Sequence, residues 1–568
     1  MTLRYGNKWL HSSYDPLNEG KRWAAEVSYQ PGDTLIVLGV GLGYHLAALV
    51  EKANEVKIIA VEPAVELLKY CFFNPALKNL EQTGKIIIFH HEQPLQNFLT
   101  AHIDQFLLER VKVIEYKPLE RVFPQEFLKY RREINDILFG LLCSLNTALR
   151  FSVTWTRNFF LNLAKVLTST PVKSFYGVFQ SKPGIIVSAG PSLNKNLSLL
   201  KEAKGKAIIL TVGTALKPVL ATGINPDIGV SIDGGKANFR HFEGIDTTGF
   251  PLLFDPIIYP RILEEYKGCL IASVYFEIFQ TWLQNLGYLD PGQVRMGPSV
   301  ANYAFDFALK LGLDPIIFIG QDLAFTGGNT HARGTVYENR EPTKEKSRLL
   351  EIEGFYGGKV ITDRSLHAML QYIETQIAMT ANGRRIINAT EGGARIKGTE
   401  VMTLRQAIDT YCQEPFNPDT RIKEICSSYQ PLNKIKPGEL AEKIKAEKAV
   451  MEKAIKICRT GERLARDLEL AFTSKMPSQQ QVNKILKRLD KVDAEINNLR
   501  EELLPVAMVF QPVWFQLNKG PFSRPEAEWR AEGLRLAKKS LLLYQGLAEG
   551  IDIVQDAMAQ AAERLSSV

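Results

Sequence analysis

Two apolar runs that end abruptly in small and polar residues contain the clearest chemical signal in this sequence. Gly184–Val187 leads into Ser188-Ala-Gly-Pro-Ser192, and Pro315–Ile319 leads into a glycine followed by Gln321 and Asp322. Apolar, β-branched runs of this length are typical of buried parallel strands, and open α/β sheets bind ligands at the carboxyl ends of such strands. A Gly-Pro-Ser turn that opens a helix offers backbone N–H groups and a hydroxyl to a phosphate, while the second strand end supplies an amide and a carboxylate. The pair predicts a phosphate-binding crevice.

A small parallel α/β domain is expected before these strands, in residues 33 to 115. Its first apolar run, Thr34–Leu38, ends in the turn Gly39-Val-Gly-Leu-Gly43, and its second ends at Glu62. Alternate glycines followed by an acid at the next strand end can bring backbone against a nucleotide and place a carboxylate on ribose hydroxyls. Close packing of strand against helix uses the same turn and is the alternative. The remaining strand candidates are Val56–Val61, Lys85–Phe89 and Val111–Ile114.

A second and larger α/β domain is expected after a helical segment. Residues 118 to about 167 have helical periodicity, and Pro171 with the loop Ser181–Gly184 opens the next domain. Helices are expected at Val300–Leu311 and Leu366–Ala381, between apolar runs of strand length. Beyond the two strands already named, the strand candidates are Ala207–Val212, Ile228–Ile232, Pro251–Phe254, Cys269–Ser273 and Arg385–Ile387.

The carboxyl-terminal part of the chain reads as helical. Strand signals cease beyond about Pro437, and apolar residues from Val482 to Leu503 step by three and four along one seam. With the segments 437–473 and 526–565 this seam predicts a helical bundle. We interpret Met508–Phe515 as part of the bundle packing rather than as a contact with another protein.

Length, composition and charge are those of an ordinary globular protein. A chain of 568 residues with 45% hydrophobic and 23% charged residues should form about three domains. The net charge of +7 is mild and the basic residues do not cluster, so nucleic-acid binding is not expected.

Cysteine usage and the absence of apolar segments predict a cytoplasmic protein. Six cysteines are scattered without C-x-x-C spacing, which favours reduced thiols. The amino terminus has no apolar core of a signal peptide, and no uninterrupted apolar run is long enough to cross a bilayer. No membrane span is therefore expected, and the oligomeric state is left open. The cysteines are Cys71, Cys143, Cys269, Cys412, Cys426 and Cys458.

The order and spacing of several short motifs resemble those of the motility-associated factor (Maf) family of flagellin glycosyltransferases, which contains the domain known as DUF115 or MptE-like. Each motif is weak alone, and the family match depends on all of them together across most of the chain. The matching stretches are Trp9–Pro16, Gly39–His45, Ser188–Leu193, Gly223–Asp227, Ser231–Asp233, Ile319–Ala324, Thr330–Gly334 and Asn388–Ala394.

The resemblance implies an α/β fold of several domains and a specific activity. It implies an amino-terminal Rossmann-like domain (1–117), a helical connector (118–180), a central sialyltransferase-like Rossmann-type domain (181–434) and a carboxyl-terminal helical domain (435–568). The implied activity is transfer of a nonulosonic acid, such as pseudaminic or legionaminic acid, from its CMP form to Ser or Thr of flagellin in the cytoplasm. Flagellin and the CMP-sugar are thus the expected partners.

Such a transfer needs a cradle for the nucleotide phosphate, and the strand ends named above are the candidates. The alternative for Pro191 and Ser192 is that they start and cap a helix, and the alternative for the Thr-Gly-Thr turn is an ordinary strand-to-helix connection. The candidate nucleotide-binding residues are Ser188, Gly190, Pro191, Ser192, Thr211, Gly213, Thr214, Gly297, Ser299, Gln321, Glu391 and Gly392.

The transfer also needs a base for the acceptor hydroxyl, and His331 is the first candidate because it lies on a glycine-rich loop next to an acidic strand end. Asp233 and Asp322 are rival catalytic residues, and His241 is a weaker one. Arg333 and Tyr337 can offset negative charge on the donor. Gln321 and Asp322 have a purely structural alternative, as a buried pair that stabilises the following Gly327-Gly328 loop.

The sequence is also compatible with metal use and with two other functions. No cluster of His, Cys and carboxylates has zinc spacing, and Mg²⁺ at Asp233 or Asp322 is possible. The first rival function is pyrophosphate transfer from ATP, as in 6-hydroxymethylpterin diphosphokinases, which resemble the central domain alone. The second is a non-catalytic scaffold that binds flagellin.

Overall fold

The computed structural model describes residues 2–567 except 54, 72–74, 92–93, 289, 342–344, 346–348, 381–382, 429–435, 475 and 524. The chain divides into two compact units, residues 1–147 and 148–568. The expected boundary at 434/435 and the expected helix end at Ala381 lie outside the described residues.

The first unit is built around a four-stranded parallel sheet of order β5-β4-β3-β6. Its strands form where the apolar runs predict them, and Leu35–Leu38 are completely buried. Helices cover the sheet, as expected for a parallel arrangement. The elements in chain order are β1 (Arg4–Tyr5), β2 (Lys8–Trp9), α1 (Pro16–Glu26), β3 (Thr34–Leu38), α2 (Tyr44–Lys52), β4 (Lys57–Val61), α3 (Val65–Cys71), α4 (Pro75–Gln82), β5 (Ile86–Ile88), α5 (Leu95–His102), β6 (Val111–Glu115), α6 (Lys117–Glu120) and α7 (Pro124–Thr168).

The backbone N–H groups of the glycine-rich turn after β3 bond side chains of the protein itself. The backbone N–H groups of Val40 and Gly41 both donate to Glu62 Oε2 at 2.8 Å, and Leu42 N–H donates to His11 Nε2 at 2.9 Å. A Cβ on Gly41 would lie 2.6 Å from His11 Nε2, so glycine is required by the close approach of the imidazole. Glu62 is completely buried and cannot meet a ribose as expected. The geometry therefore supports the packing alternative for this turn.

Helix α7 is long and apolar enough, by length and composition, to cross a membrane, with a mean hydropathy of 1.5 over 18 residues. It was not identified as a candidate from the sequence because charged residues such as Arg150 interrupt its apolar run. Near its start, Phe127 and Ile134 are buried in the first unit, and near its end Phe159 and Phe160 are buried in the second. Within that window 17% of the residues are buried.

The second unit contains a nine-stranded parallel sheet of order β17-β16-β13-β8-β9-β10-β11-β12-β7. The strands are short, and those from β16 to β11 are buried, whereas the edge strand β17 is exposed. A separate antiparallel hairpin, β14-β15, follows β13 in the chain. The elements are β7 (Thr170–Pro171), β8 (Gly184–Val187), α8 (Leu193–Asn196), α9 (Leu200–Ala203), β9 (Ile208–Val212), α10 (Leu216–Ala221), β10 (Ile228–Ser231), β11 (Leu252–Phe254), α11 (Pro260–Glu265), β12 (Leu270–Ala272), α12 (Glu277–Asn285), α13 (Val300–Leu311), β13 (Ile316–Ile319), β14 (Leu349–Glu353), β15 (Lys359–Asp363), α14 (Arg364–Thr380), β16 (Ile386–Asn388), β17 (Glu400–Val401), α15 (Leu404–Tyr411) and α16 (Pro418–Ser428).

The order of strands places a topological switch point between β8 and β13. From β8 the chain adds β9, β10, β11 and β12 on one side, and it then returns to add β13 and β16 on the other. Ligands of doubly wound sheets bind outside the carboxyl ends of the strands at such a point. The carboxyl ends of β8 and β13 therefore lie on either side of the switch point.

Four long helices complete the second unit, and they share one hydrophobic core with the β12 side of the sheet. Trp282 of α12 is buried in this core, and its indole N–H donates to Glu447 at 3.0 Å. Trp514 is 47% exposed, whereas Met508 and Val509 are buried, so the Met508–Phe515 segment packs only in part. The helices are α17 (Pro437–Thr473), α18 (Gln479–Asn497), α19 (Leu504–Leu517) and α20 (Trp529–Ser566).

The prediction of reduced thiols is wrong for two of the six cysteines. Cys269 and Cys426 form a disulfide across 157 residues of sequence. Cys143, Cys412 and Cys458 are free. The pairing depends on α16 lying near the start of β12, which spacing in the sequence does not reveal.

Candidate functional site

Asp322, at the carboxyl end of β13, holds the turn that follows β8. Its Oδ1 accepts the Ser192 hydroxyl at 2.6 Å, and its Oδ2 accepts Ser192 N–H at 3.1 Å and the Thr326 hydroxyl at 2.5 Å. The pKa of this carboxyl lies above its ordinary value, because burial raises it by more than the bonds from Ser192 and Thr326 lower it. Gly190 is required here because a Cβ on it would lie 2.1 Å from Asp322 Oδ1. The carboxylate is 3% exposed and already accepts three hydrogen bonds.

Three backbone N–H groups of the turn, those of Ser188, Gly190 and Ser192, are paired within the protein, so the expectation that they are free for a phosphate is wrong. Ser188 N–H donates to Ile319 O and Gly190 N–H to Gly320 O, which continues the β8-β13 pairing beyond the strands. Ser192 N–H is taken by Asp322, and the Ser188 hydroxyl donates to Gln321 Oε1 at 2.6 Å. The helix α8 begins here, as the structural alternative proposed, although the Ser192 side chain bonds Asp322 instead of capping it.

The loop after β16 packs against the same turn. A Cβ on Gly392 would lie 3.0 Å from Ser192 Cβ, and Glu391 Oε1 accepts Leu404 N–H at the start of α15 at 2.8 Å. Lys195 Nζ donates to the carbonyl of Glu391 at 2.9 Å. The ends of β8, β13 and β16 thus form one continuous wall, and the predicted residues in it lie together. These are Ser188, Gly190, Pro191, Ser192, Gln321, Asp322, Glu391 and Gly392.

The loop after β13 then crosses the carboxyl edge of the sheet. Ala332 N–H donates to Ala189 O at 2.9 Å, and Arg333 N–H donates to Asn194 Oδ1 at 3.0 Å. Gly334 lies against Pro218 at the start of α10. This path brings the loop residues His331 and Tyr337 over the ends of β9 and β10.

His331, Tyr337 and His241 form an aromatic group that we call the ring cluster. The ring centroid of Tyr337 lies 5.2 Å from that of each imidazole. Burial, followed by Lys217, lowers the pKa of His241 to about 4, and burial with Arg340 lowers the pKa of His331. Both imidazoles are therefore neutral at pH 7 and can accept a proton.

The hydrogen bonds around His331 identify its basic nitrogen. The single hydroxyl proton of Thr330 is donated to Arg340 O at 2.8 Å, so the bond of 3.0 Å between this hydroxyl and His331 Nδ1 needs the proton on Nδ1. In the neutral imidazole Nε2 then has the free lone pair. His331 is half-buried, so part of the residue is open to solvent.

The β9 and β10 ends supply the floor beside the ring cluster. Thr211 is completely buried with no hydrogen-bond partner for its hydroxyl among the described residues, while Thr214 is half-buried. A Cβ on Gly213 would lie 3.4 Å from Ser231 Oγ. Asp233 is exposed, and its Oδ1 accepts Gly235 N–H at 3.0 Å. Of the candidate acids, Asp233 is the one that solvent reaches.

Gly297 and Ser299 immediately precede α13, and both contact Asn302 in the first turn of that helix. Ser299 N–H and its hydroxyl both bond Asn302 Oδ1, at 3.2 and 2.9 Å. A Cβ on Gly297 would lie 2.5 Å from Asn302 Cβ, so the glycine serves close packing. These two residues share the carboxyl edge of the sheet with the other candidates, but their hydrogen bonds do not join them to the ring cluster.

Two asparagines of α7 position the loops after β10 and β11, and the sequence analysis missed them. Asn158 donates to the carbonyls of Gly234 and Ile257 at 3.0 and 2.8 Å. Asn162 donates to those of Pro256 and Ile258 at 2.8 Å. The available signal was a pair of amides four residues apart on an otherwise apolar helix face.

A metal centre has no support in the described part of the chain, where no group of three or more His, Cys, Asp or Glu side chains is placed to hold an ion. The contacts of Asp322 in particular are with hydroxyl and amide donors, which a cation would have to displace.

The fold defines a doubly wound α/β protein with polar residues gathered at the carboxyl edge of its sheet. Comparisons with known proteins give its relatives. Residues 4–115 match the family model described as glycosyltransferase Maf N-terminal domain, and residues 157–328 match that of 6-hydroxymethylpterin diphosphokinase MptE-like. The predicted resemblance to the Maf family and to the MptE-like domain is thereby confirmed over these two segments.

A solved structure has the same fold over the whole chain. The structure of the Maf glycosyltransferase from Magnetospirillum magneticum AMB-1 aligns with 100% of this chain and 89% of its own, at 16% identity and a TM-score of 0.51. This similarity confirms the predicted fold class, with parallel sheets and a carboxyl-terminal helical region.

Curated relatives come from Treponema pallidum (strain Nichols) and are described as uncharacterized proteins. One is 24% identical over 59% of this chain and 59% of its own length, another is 26% identical over 42% and 52%, and a third is 44% identical over 21% and 33%. The chain therefore spans between a third and three fifths of the length of these three relatives.

Proposed function

We propose that the protein transfers a nonulosonic acid from a CMP-activated donor to Ser or Thr hydroxyls of flagellin, in the cytoplasm, before the flagellum is assembled. The observation that supports this proposal best is the ring cluster, because it places a neutral imidazole with a free Nε2 over the carboxyl edge of a sheet with the Maf glycosyltransferase fold. A base at that position suits the removal of a proton from an acceptor hydroxyl.

In the proposed reaction the acceptor oxygen forms a bond to the anomeric carbon while the bond from that carbon to the phosphate oxygen breaks. The acceptor proton passes to His331 Nε2, and CMP leaves with the electron pair of the broken bond. Asp233 lies at the β10 end and is open to solvent, so it is the second candidate for contact with substrate. Asp322 is a positioning residue in this scheme because its carboxylate is buried against Ser192 and Thr326.

The nucleotide is placed over the β9 and β10 ends in this proposal, rather than on the backbone of the Ser188–Ser192 turn. The N–H groups of Ser188, Gly190 and Ser192 are paired, whereas Thr214, His331 and Tyr337 are half-buried at the β9 and β10 ends. Ser188, Ser192 and Gln321 then form the wall that supports the site without contacting the phosphate.

Pyrophosphate transfer from ATP is the second candidate function, and the match of residues 157–328 to the MptE-like model favours it. The two functions demand different nucleotides, so thermal-shift measurements with CMP, ATP, GTP and S-adenosylmethionine distinguish them. We expect CMP alone of the four to raise the melting temperature. Stabilisation by ATP without stabilisation by CMP would show that the glycosyltransferase proposal is wrong.

A further inference from the structure

A nonulosonic acid donor has two anionic groups on one carbon. The anomeric carbon of the CMP-linked sugar bears both the phosphate ester and a carboxylate, so a site that binds it must offset two negative charges a few bonds apart. The proposed function therefore requires a second anion subsite beside the phosphate, and none of the comparisons assigns one.

Cations lie at both ends of the ring cluster. The guanidinium carbon of Arg340 is 5.8 Å from the Tyr337 ring centroid, and its charge acts on His331. At the other end the charge of Lys217 acts on His241, together with that of Arg240. The neutral imidazoles between them add no charge of their own at pH 7.

These cations are not paired with carboxylates in the described part of the chain. Glu338, two residues before Arg340, accepts Gly334 N–H at 2.9 Å. Two other cations of the same unit do have carboxylate partners, Lys204 with Asp227 and Arg405 with Glu202. Unpaired cations on both sides of a cleft attract an anionic ligand.

The two ends differ in the anion that they suit. A guanidinium presents parallel N–H donors that match the two oxygens of a carboxylate, and the Tyr337 ring lies beside it. A lysine ammonium is a compact point charge, which binds phosphate without a fixed orientation. The backbone of Arg340 lies beside the His331 segment, since its carbonyl accepts the Thr330 hydroxyl at 2.8 Å, and the anomeric carbon must lie near His331 for the proton transfer.

We propose that Arg340 binds the carboxylate of the donor sugar beside the ring cluster, and that Lys217, in the first turn of α10 after the β9 end, faces the phosphate. The inference rests on the proposed function, since a neutral sugar donor would need only the second contact. Arg340 then selects acidic sugars over neutral ones, and it fixes the anomeric carbon between the phosphate and His331.

Isothermal titration with CMP and with CMP-N-acetylneuraminic acid, a CMP-linked nine-carbon acidic sugar, tests the subsite on the full-length protein. For Arg340→Gln we expect the affinity for the CMP-sugar to fall about tenfold or more and that for CMP to be unchanged. For Arg340→Lys, which keeps the charge but loses the paired donors, we expect a smaller loss. Lys217→Gln should lower the affinity for both CMP and the CMP-sugar.

The exposed Arg463 and Lys484 of the carboxyl-terminal helices provide matched controls, as Arg463→Gln and Lys484→Gln, and melting temperatures without ligand show that each variant is folded. If the wild type binds both ligands and Arg340→Gln binds the CMP-sugar as well as the wild type does, the subsite is wrong while the proposed function stands. If the wild type binds neither ligand, the proposed function fails, and the subsite fails with it.

Discussion

At the scale of residues, hydrogen bonds separate the two strongest candidates for the base. Asp322 is buried and accepts three hydrogen bonds from Ser192 and Thr326. Its lone pairs are therefore occupied by structural contacts within the protein. His331 is half-buried, and the Thr330 hydroxyl fixes its proton on Nδ1. Residue type and proximity to glycines could not distinguish these roles, because the distinction depends on which donors surround each side chain.

His331→Ala should lower glycan transfer by about 100-fold or more, the usual contribution of a general base. The measurement is the intact mass of flagellin coexpressed with the protein and a nonulosonic acid pathway, followed by rates from purified components. His90→Ala is the matched control, since His90 is exposed and lies in the first unit. Full glycan mass and an unchanged rate with His331→Ala would remove this residue from the mechanism.

The pH dependence of the same reaction tests the assignment independently. The base must be unprotonated, and burial with Arg340 holds the pKa of His331 below its ordinary value of 6.5. We therefore expect the rate to be constant through neutral pH and to fall only below pH 6.5, as His331 takes up a proton. The residual activity of His331→Ala should lack this acidic limb. An acidic limb that persists in the variant would point to another group, with Asp233 the first to examine.

At the scale of elements, the strands were predictable and the wall that they form was not. β3, β9 and β13 formed within a residue or two of the expected bounds because buried parallel strands are continuous apolar runs. The hairpin β14-β15 was missed, since its residues alternate between half-buried and exposed and resemble a polar loop. The pairing of the Ser188–Ser192 amides was missed because it depends on β13 lying beside β8, a contact between segments more than a hundred residues apart.

Gly393→Ala should show how tightly the β16 loop closes on the wall. The residue has φ +70°, and a Cβ there would lie 2.2 Å from the carbonyl oxygen of Asp322. We expect a loss of stability of about 2 kcal/mol or more, from the left-handed backbone and the steric overlap together. The measurement is the melting temperature of the second unit.

Gly357→Ala is a matched control for this substitution, since Gly357 has φ +82° and nothing within 4 Å of the added Cβ. It should show only the backbone contribution, about 1 kcal/mol. Equal effects of the two substitutions would mean that the wall tolerates the added methyl group, and that Asp322 is not held by the β16 loop.

At the scale of the whole molecule, the two units should respond to acid in opposite directions. Burial lowers the pKa of His11 to about 4 and that of His45 to about 3 in the first unit. The unfolded chain takes up these protons near pH 6.5, whereas the folded unit does not, so stability is lost as the pH falls below 6.5. In the second unit burial raises the pKa of Asp255 and that of Asp227 to about 7, which adds stability as the pH falls from 7 toward 4 and outweighs the opposite contribution of His241, whose pKa is lowered to about 4.

We therefore expect the first unit to unfold before the second on mild acidification. At pH 5 each of the two histidines should reduce the stability of the first unit by about 2 kcal/mol relative to pH 8. Hydrogen exchange at pH 8 and at pH 5, corrected for the intrinsic pH dependence of exchange, measures this loss peptide by peptide.

His45→Phe keeps an aromatic ring to stack on Tyr116, at 3.7 Å in the wild type, and removes one titrating group. This variant should be less stable at pH 8, because the bond from His45 to Gly39 O is lost, yet it should lose less on going to pH 5. An unchanged loss in His45→Phe, or earlier exchange in the second unit, would show that the buried histidines do not govern the acid response.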